Sequence, residues 1–144
     1  MFLLTVTCEL RPTEDKDKVV KALLNLFDLD TIEVVKGFPY SRVIGESRRV
    51  DSLARLHRLF RQERVLDTVR SVLIDNRVGN AVEFKLHKQS AYAGRANIVT
   101  LDSESPLGPV VVRIVSDKID EVIEWLAPKT AGGRPTRERP TPKV

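Results

Sequence analysis

The sequence predicts an α+β fold, a two-layer sandwich with helices packed on one face of a largely antiparallel sheet. Three observations predict it. Residues 2 to 11 alternate apolar and polar side chains, as a strand buried on one face does. Residues 51 to 76 repeat apolar side chains every three or four positions, the spacing of a helix with one buried stripe. The remaining strand-like runs are separated mostly by short gaps, which favour hairpins over crossovers. A chain of 144 residues with 42% hydrophobic side chains can bury its own core, so residues 1–128 are expected as one domain and 129–144 as a disordered basic tail.

The elements follow in order. Phe2, Leu4, Val6, Cys8 and Leu10 form the inward face of the first strand, which Pro12 ends. Thr13 is the expected N-cap of the first helix, with Glu14 and Asp15 at the positive end of its dipole and Val19, Val20, Leu23, Leu24 and Phe27 at helical spacing. Thr31 to Lys36 and Arg42 to Glu46 read as short strands around the turn residues Gly37 to Tyr40, and Gly45 marks a weak point or a bulge. In the long helical stretch Leu53, Leu56 and Phe60 make one stripe and Leu66, Val69 and Leu73 another. The six-residue step between the stripes predicts a kink or break at Gln62 to Arg64. Beyond Gly79-Asn80, Val82, Phe84 and Leu86 alternate as a strand, and Asn97 to Leu101 and Val110 to Val115 read as two more around the turn-rich Glu104 to Pro109. A last helix from Ser116 or Asp117 buries Ile119, Val122, Ile123 and Leu126 until Pro128 stops it.

Composition narrows the function. The single cysteine excludes an internal disulfide and a Cys cluster for zinc, and the amino-terminal MFLLTVTC has neither a basic leader nor the length of a membrane span, so a cytoplasmic setting without membrane association is expected. Cys8, on the apolar face, reads as core. The net charge of +4 comes from the tail, where Lys129, Arg134, Arg137, Arg139 and Lys143 face only Glu138. The body is neutral but segregated. Residues 42 to 77 hold nine arginines, no lysine and five acids, while residues 1 to 35 hold four basic and seven acidic groups, so the molecule should have a basic side. The charged fraction of 31% and the arginine use are compatible with a hot habitat.

The candidate site lies between Phe84 and Val115. There His87, Lys88, Gln89, Ser90, Tyr92, Arg95 and Asn97 stand among the small residues Ala91, Ala93, Gly94 and Ala96, a pattern of a binding surface more than a reaction centre. His87 and His57 have no partner at metal-ligand spacing, and His87 reads as a solvated or hydrogen-bonded side chain; no metal or cofactor is expected. Pro128 to Gly133 contains the letters of a phosphate loop in the wrong order and after a helix. Arg55, Arg58, Arg61, Arg64 and Arg70 spread around the middle helices, partly as a solvated face paired with Glu63 and Asp67. The sharper reading brings Arg48 and Arg49 together with Arg70 or Arg95 on one phosphate-binding face, with Tyr92 offering a ring for a base.

Several stretches match a known family in order: Pro12-Thr13-Glu14-Asp15, Leu66-Asp67-Thr68-Val69-Arg70, Leu86 to Asn97, Ser105-Pro106-Leu107-Gly108-Pro109 and Leu126-Ala127-Pro128-Lys129-Thr130. Together they make the chain resemble an archaeal UPF-type family of predicted RNA-binding, exosome-subunit-like proteins. The resemblance implies the two-layer fold of the large-subunit ribosomal protein that binds 5S RNA; it brings no catalytic residue with it. The reading that results is a non-catalytic RNA-associated domain in which Lys88, Gln89, Tyr92, Arg95 and Asn97 contact RNA, with Arg48, Arg49, Arg70, Lys129 and the tail adding attraction. The alternative is a structural or protein-interaction module, such as a homodimer or a component of a protein complex, in which Lys88 to Asn97 is a hydrogen-bonding scaffold for the Ser105 to Pro109 turn.

Overall fold

The first strand is the centre of the molecule. In the computed structural model, which describes residues 1–100 and 107–144, β1 (Phe2–Leu10) is followed by α1 (Lys16–Leu26), β2 (Thr31–Val35), β3 (Ser41–Ser47), a 3-10 turn (Val50–Leu53), α2 (Ala54–Gln62) and α3 (Leu66–Asp75). The second half comprises β4 (Ala81–Leu86), α4 (Lys88–Tyr92), β5 (Ile98–Val99), β6 (Val110–Ser116), α5 (Ile119–Leu126), β7 (Thr130–Ala131) and β8 (Arg134–Pro135). Six strands form one open antiparallel sheet in the order β2-β3-β1-β6-β4-β5. β2 and β3 make the expected hairpin, but β1 lies between β3 and β6, so the sheet is built by long-range pairing as well as by local turns.

Register explains the two layers. Cys8, Val110 and Leu86 stand side by side across three strands, as do Val6, Val112 and Phe84, and Leu4, Ile114 and Val82; all are buried. Their neighbours Thr5, Arg113 and Glu83 fall on the other face, so only one face is apolar enough to take helices. Onto it α1 brings Val19, Ala22, Leu23 and Leu26, α2 brings Leu56 and Phe60, and α5 brings Ile119, Val122, Ile123, Trp125 and Leu126. Phe60 meets Phe84 edge-on with ring centroids 6.4 Å apart, tying helix to sheet. Each such large side chain contributes about 1.5–3 kcal/mol by leaving water.

Five local expectations change. Asp15, not Thr13, caps α1, its carboxylate accepting from the Asp17 N–H at 2.9 Å, because Thr13 lies two residues too early. Gly45 is no bulge: it pairs regularly with Val6 and Ile32, and a Cβ there would stand 2.4 Å from Leu29 Cδ1, so glycine serves close packing. Residues 88 to 92, for which no helix was expected, form a helical turn. The last helix begins at Ile119, with Ser116 still in β6. Of the strand expected over Asn97 to Leu101, Ile98–Val99 pairs with β4; Leu101, and the expected turn as far as Pro106, lie outside the described residues.

The tail also differs from the disordered segment expected. Thr130–Ala131 and Arg134–Pro135 pair as a small hairpin, the Thr136 N–H donates to the Lys129 carbonyl at 2.9 Å, and Thr130 Oγ1 bonds Asp67 at the start of α3. Hydrogen bonding supplies here what apolar content does not. Glycines 132 and 133 take φ of 59° and 79°, the left-handed turn that a two-residue hairpin needs.

Candidate nucleic-acid interface

The sheet has two ends, and they separate the residues expected to converge. At the upper end β1 and β4 finish and β3 and β6 begin; Lys88 lies there, its Nζ 2.7 Å from the Glu9 carbonyl. Arg48 and Arg49 follow Ser47, which pairs with Leu4 near the opposite end of β1. The five residue steps from Leu4 to Glu9 span roughly 17 Å of strand. Arg49 is moreover engaged, with Nε 2.8 Å from Asp30 Oδ1 and Nη2 3.5 Å from Asp28 Oδ2. That guanidinium and the Arg48 N–H together hold the Asp30 carboxyl below its usual range. The single face joining Arg48 and Arg49 to Arg95 therefore does not form.

Lys88 is not a surface contact either. It is fully buried, and its ammonium bonds Glu14 at 2.8 Å and the Glu9 and Leu107 carbonyls. This anchors α4, the start of α1 and the approach to β6 at one point. His87 caps α4 by accepting the Ser90 N–H at Nδ1, and Asn97 Nδ2 donates to Ser90 Oγ at 2.9 Å. Tyr92 is 36% exposed and its hydroxyl reaches Glu14 Oε2 at 3.4 Å; partial burial and that carboxylate push its pKa up to about 12. Burial pushes the Cys8 thiol beside Lys88 up to about 11, which keeps it protonated and inert. Arg70 forks onto Glu124 at 2.8 and 3.0 Å and donates to the Ala127 carbonyl, a structural clasp between α3 and α5. Gln89, Arg95, Asn97 and Lys129 remain exposed at the upper end.

A second group of cations gathers beside them. α2 ends in a Schellman motif: the Val65 N–H donates to the Phe60 carbonyl and the Arg64 N–H to that of Arg61, with Arg64 at φ 56°. α4 ends in the same motif, the Arg95 N–H donating to Ser90 and that of Gly94 to Ala91, but there glycine takes the left-handed position at φ 73°. The two corners touch, because Glu63 Oε2 accepts the Ala96 N–H at 2.9 Å. Arg64 and Arg95 are thus sequence neighbours of one contact. On the other side of α2, Arg61 Nε and Nη2 grip Glu138 at 2.8 and 2.7 Å and bring in the tail that carries Lys129, Arg134 and Arg137. Among the described residues no carboxylate pairs with Arg64, Arg95, Lys129 or Arg134.

A family model described as RNA binding matches residues 4–116. A UPF0201 protein of Metallosphaera sedula is 39% identical over 143 residues, covering 99% of both chains, and one of Aeropyrum pernix is 41% identical over 141 residues, covering 97% of this chain and 94% of its own. The chain belongs to the UPF0201 family. The crystal structure of the UPF0201 protein from Methanococcus jannaschii superposes with a TM-score of 0.83 at 30% identity, covering 94% of this chain and 99% of that one.

In this UPF0201 chain the residues missed by sequence reasoning are those whose importance depends on backbone shape. The rhythm break placed a turn at Gln62 to Arg64, yet nothing in the letters marks Arg64 as left-handed, since glycine is the usual signal there. The tail grip has a titratable handle. The Arg61 guanidinium holds the Glu138 carboxyl below its ordinary value of 4.5, so the tail's attachment is fully present above that value and is lost as pH falls through the lowered one. Amide exchange in residues 137–144 should therefore accelerate in acid below pH 4.5 beyond the intrinsic pH dependence measured on the free tail peptide.

Proposed function

We propose that this UPF0201 chain is a non-catalytic RNA-associated domain that contacts phosphates through Arg64, Arg95, Lys129 and Arg134 at the upper end of the helix layer, with Gln89, Asn97 and the partly exposed Tyr92 ring beside them. The observation that carries the reading is Arg64. A left-handed C-terminal position disfavours any side chain by roughly 1–2 kcal/mol relative to glycine, and α4 meets the same requirement with Gly94. An arginine with no carboxylate partner among the described residues, kept at such a strained point, argues for a use of its guanidinium outside the fold. The arginine fork suits bidentate phosphate recognition. The family model's description supports the ligand class.

Arg64→Gly separates function from stability. Chemical denaturation should find stability level or raised by up to about 1 kcal/mol, because the strain goes while glycine adds unfolded-state entropy. Binding of single-stranded RNA should weaken, and the slope of log affinity against log salt should shrink by about 0.7. In the triple Arg64, Arg95 and Arg134→Gln protein it should shrink by about 2. An unchanged slope in both would remove this surface from the model. A stable dimer without RNA affinity at physiological salt would select the protein-interaction module instead.

A further inference from the structure

The tail leaves α5 at its C-terminal end and returns along it, since Lys118 Nζ, just before the helix, donates to the Lys143 carbonyl at 2.8 Å. Between tail and helix runs a groove of about 730 Å³, with Asp120, Glu121 and Glu124 on one wall and Arg139, Pro140 and Pro142 on the other. On the helix wall Asp120 and Glu124 pair with Arg77 and Arg70, and Glu121 has no ion pair among the described residues; the opposing segment is basic. The grip of Arg61 on Glu138 fixes the near end, and the prolines stiffen the segment so that less freedom is lost on docking.

We propose that residues 136–144 form a strap seated on the acidic outer face of α5, which withholds Arg137, Arg139 and Lys143 from RNA until a polyanion draws the strap away. The segment facing this side of α5 is thus this chain's own tail, held at its two ends by Arg61 and Lys118. Only the withholding rests on the RNA interface described above; the docking does not. Arg139 and Lys129 add their charge to that of Arg70 in holding the Glu124 carboxyl below its usual range, in keeping with a basic segment lying across this helix. The ion pair at Glu138 is half exposed, and pairs of that kind shift an equilibrium by no more than about fivefold, which suits a latch that opens.

Glu138→Gln in the full chain tests both halves, with Glu33→Gln on edge strand β2 as a control for the same change in net charge. In the wild type, backbone order parameters from nitrogen relaxation should stay near 0.85 through residue 143, and in Glu138→Gln they should fall toward 0.6 from Arg139 onward. Thr136, held by the Lys129 carbonyl, should not change in either. Affinity for a uridine 20-mer should rise about two- to fivefold over that of Glu33→Gln. A tail already below about 0.6 in the wild type, or unaltered by the substitution, would overturn the strap. An affinity equal to that of Glu33→Gln would overturn the withholding. If the wild type and both variants fail to bind the 20-mer, the Arg64 surface falls too, whereas wild-type binding with no gain in Glu138→Gln removes the gate alone.

Discussion

Replacing Lys88 with methionine is expected to destabilise the fold by about 3–5 kcal/mol, the largest effect of any polar substitution here. The side chains of Lys88 and Glu14 are 0% and 5% exposed, so neither charge has water to fall back on. Methionine fills the space but leaves the Glu14 carboxylate, among the described residues, with the Arg11 N–H and the Tyr92 hydroxyl, and takes the ammonium from the Leu107 carbonyl and from that of Glu9, which keeps the weak Cys8 thiol donor. With a urea m-value of about 2 kcal/mol/M, the unfolding midpoint should move down by about 2 M. The Lys88→Met, Glu14→Gln double variant should recover much of the loss, because the penalty comes from an uncompensated buried charge and not from the pair's net worth. Its RNA salt slope should match the wild type. A fall in slope without a fall in stability would instead return Lys88 to the contact surface.

That lysine marks the limit of what sequence can say. The alternation from Phe2 to Leu10 and the stripes on α2, α3 and α5 were legible because burial on one face imposes a period, and the break before Leu66 was legible because it interrupts one. Lys88 follows the inward-facing Leu86 by two, so its burial was within reach of the same alternation; only the prior that lysines face water hid it. Arg49 looked available for the opposite reason: Asp28 and Asp30, which take up its guanidinium, lie some twenty residues earlier and meet it only through the sheet. Charges read along a chain do not reveal their partners. The nearness of Arg64 to Arg95 depends on two helix ends brought together by the Glu63 carboxylate accepting the Ala96 N–H, and no local pattern encodes that.

Arg61→Lys should cost about 2–3 kcal/mol, far more than loss of its visible ion pair. The guanidinium makes a fan of bonds: Nη1 donates to the His57 and Leu126 carbonyls at 2.8 and 3.2 Å, and Nη2 to that of Trp125 at 3.1 Å as well as to Glu138. Two of these acceptors are among the last carbonyls of α5, which have no intrahelical donor, and both residues are buried. An ammonium is a point charge without the planar fork, so it cannot serve both carbonyls and Glu138 at once. Glu138→Gln, by contrast, should cost less than about 1 kcal/mol, because half of that carboxylate is already in water. The double variant should then be barely worse than Arg61→Lys, which would not hold if the ion pair carried the energy. His57 supplies an independent readout, stacked on Trp125 with ring centroids 4.6 Å apart. Burial first, and the Arg61 charge second, lower its pKa below the ordinary 6.5, so this site's contribution to stability is complete above that value and declines as pH falls through the lowered one. Arg61→Gln removes the second cause and should flatten that acid limb in thermal melts, whereas Glu138→Gln, which removes a charge favouring the imidazolium, should steepen it.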